Sequence, residues 1–106
     1  MTDRFTSPAP LPTDRQRELL VVLMEECAEV AQRASKAVRF GMDEVQPGQP
    51  DSNLIRIARE MGDLTGTLHA LLDTVQPDLA EAFHAAARQA ERAKSDKLAR
   101  FLQSAH

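Results

Sequence analysis

Apolar residues recur at helical spacing along three stretches of the chain, and breaks rich in proline or glycine separate these stretches. The first stretch predicts a helix from about Asp14 to Phe40. Thr13 and Gln16 match a capping box at its start, and Gly41 tolerates the left-handed backbone found just after helix ends. The apolar residues expected to face inward are Leu20, Leu23, Met24, Cys27, Ala31, Ala34 and Val38.

A loop and a second helix follow. Residues 41–51 contain Gly, Pro-Gly and Gln-Pro, which favour turns over regular structure. Asp51 or Ser52 is expected to cap a second helix that runs to about Val75. The predicted inner face of this helix comprises Leu54, Ile57, Ala58, Met61, Leu64, Leu68 and Leu71 or Leu72.

The segment Gln76-Pro77-Asp78 predicts a break and then a third helix over about 78–103. Proline suits the first turn because the amide it lacks has no partner there. Residues 1–12 contain three prolines and predict a flexible or strapped-on arm. A single helical domain is expected over 13–106.

The three amphipathic helices together predict an all-α fold, since strand-type alternation is absent. With 106 residues, the chain has the length of one domain. Three helices that are rich in alanine on several faces would leave apolar surface exposed. We therefore expect a helical bundle that is completed by homo-oligomerisation, for example as a homodimer.

Composition and charge argue against some classes of binding partner. A net charge of −3 argues against a nucleic-acid partner, whose phosphates need clustered Lys and Arg. No run of about 18 apolar residues is present, so no membrane-spanning segment is expected. The single cysteine, Cys27, cannot form an intrachain disulfide and suits the reducing cytoplasm. We interpret Cys27 as a small buried hydrophobic residue, because a nucleophilic cysteine would be expected to have cationic neighbours.

Two acid-x-x-acid pairs interrupt the apolar stripes where leucine or valine is expected. These are Glu26 with Glu29 and Glu60 with Asp63, and on a helix each pair shares one face. Burying unpaired carboxylates is unfavourable, so a cation or surrounding water must compensate them. If the first two helices pack antiparallel, the pairs face each other and offer the hard oxygen ligands of Mg²⁺, with Mn²⁺ as the alternative. Solvated surface acids are the other interpretation.

The same residues resemble a known family. Glu25-Glu26-Cys27-Ala28-Glu29-Val30 and Arg59-Glu60-Met61-Gly62-Asp63-Leu64 look like the signature of the MazG-like, all-α nucleoside triphosphate pyrophosphohydrolases. That signature is Glu-Glu-x-x-Glu, a spacer, and Glu-x-x-Asp. Residues 34–41 are similar to the end of the first motif helix in compact, phage-like members. The resemblance covers roughly residues 13–103.

The resemblance implies a function. Members hydrolyse an NTP or dNTP to the monophosphate and pyrophosphate with Mg²⁺, as dimers or tetramers, often in nucleotide-pool housecleaning. Carried over, the metal ligands would be Glu26, Glu29, Glu60 and Asp63. Glu25 would be an accessory acid or would position a water molecule.

A triphosphate also needs cations besides the metal. The candidate substrate-binding residues are Lys36, Arg39, Asn53, Lys94 and Lys97. Lys36 belongs to the similar segment, and Lys94 lies near a basic position of the family, whose Asn-x-x-Lys pair corresponds here to Glu91-x-x-Lys94. Each cation is otherwise plain solvated helix surface, and Asn53 otherwise caps the second helix.

Two other functions stay open. Glu81 and His84 have the acid-x-x-His spacing of di-iron bundle proteins, which a homodimer could supply twice. The third alternative is a structural or regulatory helical dimer without hydrolysis. His69 is expected to be a packed or exposed residue rather than a ligand.

Overall fold

The structure is a computed structural model that describes residues 9–102. These residues form three helices, α1 (Asp14–Phe40), α2 (Asn53–Leu72) and α3 (Pro77–Phe101). The described residues contain no strand beyond an isolated antiparallel bridge between Val45 and Ser52. The predicted all-α class is therefore confirmed.

Local hydrogen bonds set both ends of α1 where the sequence predicts them. The Thr13 hydroxyl accepts from the Gln16 amide at 3.1 Å, and the Thr13 amide donates to the Gln16 side-chain oxygen at 3.0 Å. Gly41 follows the last turn with φ of 105°, and its amide donates to the Ala37 carbonyl at 2.9 Å. The predicted capping box and glycine stop are confirmed.

The other helix boundaries agree closely with the prediction. Ser52 rather than Asp51 caps α2, because its hydroxyl accepts from the Ile55 amide at 3.3 Å. The helix ends at Leu72, short of the predicted Val75. Pro77 is the first residue of α3, as its missing amide favours.

Two predicted segments extend past the described residues. The N-terminal arm over 1–12 is described only over residues 9–12, which are non-helical and exposed. The third helix was predicted to extend to about residue 103, but it ends at Phe101, because Leu102 adopts an extended conformation.

The chain divides into two compact units between Leu71 and Leu72. The first contains α1, the loop over 41–52 and nearly all of α2. Its two helices run antiparallel, because Gly41 bonds to Asn53 while the earlier Arg33 pairs with the later Glu60. The second unit contains α3. The expected single domain over 13–106 stays a prediction.

The half-buried face of α1 differs from the predicted one. It contains Gln16, Leu19, Leu20, Leu23, Glu26, Glu29, Val30, Arg33, Lys36 and Ala37. Met24 and Val38 are 63% and 86% exposed. Cys27 is exposed as well, so its interpretation as a buried hydrophobe is wrong. Ala31 and Ala34 are exposed too. The observed face is therefore rotated relative to the predicted one, and it places Glu26 and Arg33 along the contact with α2.

The face of α2 agrees better with the prediction. Ile57, Leu64, Leu68, Leu71 and Leu72 are half-buried, as predicted. Leu54, Ala58 and Met61 are exposed, which corrects three positions of the predicted face. Asn53 is buried at 1% exposure, whereas no hydrophobic side chain of residues 9–102 is buried to that degree. None of the described helices is both long and apolar enough to cross a membrane.

Candidate metal centre

Three carboxylates converge across the contact between α1 and α2. Glu26 of α1 and Glu60 and Asp63 of α2 each offer an oxygen atom, and these three oxygens lie within 4.8 Å of one another. Two oxygens on opposite sides of one Mg²⁺ are about 4 Å apart, since each Mg–O distance is about 2.1 Å. The group is therefore of the size that one divalent ion can draw together with small side-chain movements.

Helical spacing brings these acids together. Glu26 lies on the half-buried face of α1 between Leu23 and Val30, and Glu60 lies on that of α2 between Ile57 and Leu64. The apolar neighbours turn both acidic side chains toward the opposite helix. Asp63 is exposed one turn beyond Glu60, so the group opens to solvent on one side.

Glu29 lies outside the group of three. Its carboxylate is 3.4 Å from a terminal nitrogen of Arg33, and the Nε of the same guanidinium is 3.7 Å from Glu60. Arg33 thus bridges the fourth predicted ligand and the centre of the group. Glu25 is exposed on the neighbouring face of α1. Three of the four predicted ligands meet, and the fourth is paired with a cation nearby.

Electrostatics at Glu26 favour a cation. Its Oε2 atom is buried and has no hydrogen-bond partner among the described residues. Burial raises the pKa of Glu26 above its ordinary value, and repulsion from Asp63, Glu60, Glu29 and Glu25 raises it further. A divalent ion would satisfy the orphaned oxygen and offset this repulsion. The donor set, all carboxylate oxygen, fits Mg²⁺ or Mn²⁺.

The predicted cations and Asn53 lie in different surroundings. Lys36 is half-buried on α1, and Arg39 stacks on the Phe40 ring with 4.9 Å between guanidinium carbon and ring centroid. Lys94 and Lys97 are exposed positions of α3. None of these four makes an ion pair with a residue of the described part of the chain.

Asn53 organises the loop instead of capping α2. Its side-chain amide donates to the Gly41 carbonyl at 2.8 Å and to the Glu44 carboxylate at 3.1 Å. Its backbone amide donates to the Glu44 carbonyl at 2.9 Å. With 1% of its surface exposed, Asn53 holds the loop over 41–52 against the start of α2.

Three arginines near the carboxylates were not among the predicted site residues. Arg33, Arg56 and Arg59 line an open pocket of about 440 Å³ together with Glu60 and residues 49–51. Helical spacing contained a signal for two of them. Arg33 lies two turns after Glu26, and Arg56 lies one turn before Glu60, so both share the faces of these acids.

The acid-x-x-His motif of α3 does not contribute to the three-carboxylate group. Glu81 and His84 are exposed, and the His84 ring meets Phe83 edge-on at 5.8 Å between centroids. His69 is also exposed, in agreement with the expectation that it is not a ligand. The metal-sized group within residues 9–102 contains no histidine.

Comparisons of the chain with models of protein families, with curated proteins and with solved structures found no match.

Proposed function

We infer that this protein hydrolyses a nucleoside or deoxynucleoside triphosphate to the monophosphate and pyrophosphate with the help of Mg²⁺. The observation that carries this proposal is the convergence of Glu26, Glu60 and Asp63 within 4.8 Å, together with the unpartnered Oε2 of Glu26. The resemblance of the two acidic segments to the MazG-like signature supports the same reaction. Membership of that family is part of the proposal.

The residues have distinct roles in this mechanism. Glu26, Glu60 and Asp63 would hold the ion, and Glu29, which contacts Arg33, would be a further acid near it. When bound, Mg²⁺ or Mn²⁺ offsets polyphosphate charge and lowers the pKa of a coordinated water. Glu25 is exposed on the neighbouring face of α1, where its carboxylate would be an accessory acid or would orient the attacking water.

The protein is also proposed to act as a homodimer or homotetramer. Its described residues bury no hydrophobic side chain, and Met24, Ile55 and Met61 on the first two helices remain 63%, 44% and 44% exposed. Apolar surface of this kind is covered when a second copy packs against it. Light scattering tests this proposal: a mass of two or four times 11.7 kDa supports it, and a mass of 11.7 kDa contradicts it. The cytoplasm is the proposed compartment, on the grounds of the single thiol.

The decisive test is pyrophosphate release from a panel of common NTPs and dNTPs, with Mg²⁺ and with EDTA. We expect release that EDTA abolishes, and the fastest nucleotide identifies the preferred substrate. Release that persists in EDTA contradicts the metal-dependent mechanism. No release by folded protein contradicts the enzyme proposal and favours a structural or regulatory helical dimer. Iron analysis of the purified protein tests the di-iron alternative directly.

A further inference from the structure

An open pocket adjoins the three-carboxylate group within the first compact unit. Its charged lining comprises Arg33, Asp51, Arg56, Arg59 and Glu60. Three guanidinium groups against two carboxylates leave a formal charge of +1. The volume of about 440 Å³ admits several phosphate-sized groups. The pocket thus combines room for an anion with an excess of positive charge.

Two carboxylates position Arg33 but do not occupy all of its N–H donors. Its side chain is only 19% exposed, and its contacts with Glu29 and Glu60 are 3.4 and 3.7 Å long. A strong charge-assisted hydrogen bond between such groups is about 2.7–2.9 Å long. Because a guanidinium carries five N–H donors, Arg33 retains donors for another anion.

Arg56 has no counter-charge of its own. It is half-buried, and its side chain makes no ion pair or hydrogen bond with any residue of the described chain. Withdrawing a cation from water without a partner is unfavourable, so an anionic ligand at this position would be stabilising. Arg59 differs, because it is fixed to Asp51 by a 2.7 Å bond while 70% of its side chain stays exposed.

The loop that contributes residues 49–51 to the pocket is held at both ends by hydrogen bonds. Asn53 bonds to both Gly41 and Glu44, and the Leu54 amide donates to the Met42 carbonyl at 3.0 Å. The bond between Arg59 and Asp51 then ties the end of the loop to α2. A binding site whose walls are held in the unliganded protein loses less entropy when a ligand binds.

We propose that Arg33, Arg56 and Arg59 form a subsite for the pyrophosphate end of the nucleotide, beside the carboxylate group. The planar guanidinium fork matches phosphate oxygens in pairs, which a single ammonium group cannot do. Assigning the anion to a nucleotide rests on the proposed function, whereas binding of pyrophosphate itself does not require hydrolysis.

Glu60 couples this subsite to the carboxylate group. It belongs to the three-carboxylate group and also pairs with Arg33 at the pocket wall. Neutralising Glu60 changes the formal charge of the pocket from +1 to +2 and removes a competitor for Arg33. A cation at the carboxylates and an anion in the pocket therefore strengthen each other.

Calorimetric titration of the full chain with pyrophosphate in EDTA tests the subsite. We expect Arg56→Gln to bind roughly tenfold more weakly than the wild type, through loss of a charge-assisted contact. Arg17→Gln, an exposed arginine of α1 outside the pocket, should bind like the wild type. Arg59→Gln is a second variant at a largely exposed position, and it should also weaken binding. Thermal melts establish that each variant is folded.

Glu60→Gln provides the sharpest contrast. It should bind pyrophosphate severalfold more tightly in EDTA, although it removes a proposed metal ligand. Wild-type affinity in Arg56→Gln and Arg59→Gln, or equal weakening in Arg17→Gln, overturns the subsite.

Different experimental outcomes would refute the subsite and the proposed function. Arginine-dependent pyrophosphate binding without hydrolysis of any nucleotide keeps the subsite and refutes the enzyme. Hydrolysis with unchanged KM and unchanged pyrophosphate inhibition in Arg56→Gln refutes the subsite alone.

Discussion

The α1–α2 pair and α3 place charged residues at similar helical spacing but expose them differently. Glu26, Arg33 and Glu60 are half-buried along the contact between α1 and α2, whereas every residue of α3 from Glu81 to Phe101 is exposed. Charges in water are screened and interact weakly, while partly desolvated ones perturb one another strongly. Helical spacing alone therefore does not distinguish the two regions, whereas withdrawal from water does.

The largest effect should come from matched acid-to-amide changes in the two regions. Glu60→Gln should lower Mg²⁺-dependent pyrophosphate release by about a hundredfold or more, because the variant lacks one of the proposed charged ligands. Glu81→Gln on α3 should leave the rate unchanged, since this acid is exposed and outside the group. Steady-state rates with circular dichroism as the folding control decide the matter. Equal rates in both variants would remove the metal assignment.

A second comparison concerns two polar side chains that differ in burial. Asn53→Ala should lower the free energy of unfolding by about 2 kcal/mol, because the buried Asn53 amide would no longer donate to the Gly41 carbonyl and the Glu44 carboxylate. Gln89→Ala, at an exposed position of α3, should change it by less than about 0.5 kcal/mol. Urea denaturation measures both. A neutral Asn53→Ala would mean that the loop does not depend on this amide.

The pH dependence of the Tm tests the charge repulsion around Glu26. Its folded-state pKa is raised, so the folded protein holds this proton more tightly than the unfolded chain does. In EDTA, the wild-type Tm should therefore lose a contribution as pH rises above the ordinary value of 4.5 through the raised pKa. Glu26→Gln should lack this loss and melt a few degrees higher at neutral pH.

Mg²⁺ should raise the Tm of the wild type but not that of Glu26→Gln, since only the wild type has all three proposed ligands. Glu18→Gln, an exposed acid of the same helix, is the matched control and should behave like the wild type. An identical response to pH and Mg²⁺ in wild type and Glu26→Gln would contradict the proposed electrostatics.

The smallest expected effect on stability comes from substitutions at the N-termini of two helices. Thr13→Ala should destabilise the protein by about 1 kcal/mol, because the Gln16 amide loses its acceptor. Gln76→Ala at the start of α3 should be close to neutral, since Gln76 makes no side-chain cap bond. Denaturant midpoints measure both changes. Similar losses would show that capping does not distinguish the two helices.

Local signals account for the parts of the fold that the sequence predicts. The capping box at Thr13, the glycine at residue 41 and the proline at residue 77 act within a few residues, so the helix boundaries follow from them. The inner face of α1 was harder to predict. Met24 and Val38 look like core residues by hydropathy, yet the structure exposes them and places Glu26 and Arg33 inward.

In the candidate site, too, some features follow from local sequence and others from helix packing. The acid-x-x-acid spacing identified the carboxylates, because one turn of helix is a property of the chain itself. Spacing did not reveal that Arg33 would contact Glu60, nor that Arg56 would line a pocket with the loop over 49–51. These contacts join residues from different elements, so they depend on how α1 and α2 pack.

By itself, the sequence determined the three helices, their caps and the acids that share a helical face, since each depends on neighbours within about one turn of helix. Only the tertiary structure decided that Glu26, Glu60 and Asp63 meet while Glu29 stays outside, and that three arginines gather beside them. The physical reason is that burial and charge interaction act between elements. Their outcome depends on the relative rotation of the two packed helices, which residue spacing within one helix does not specify.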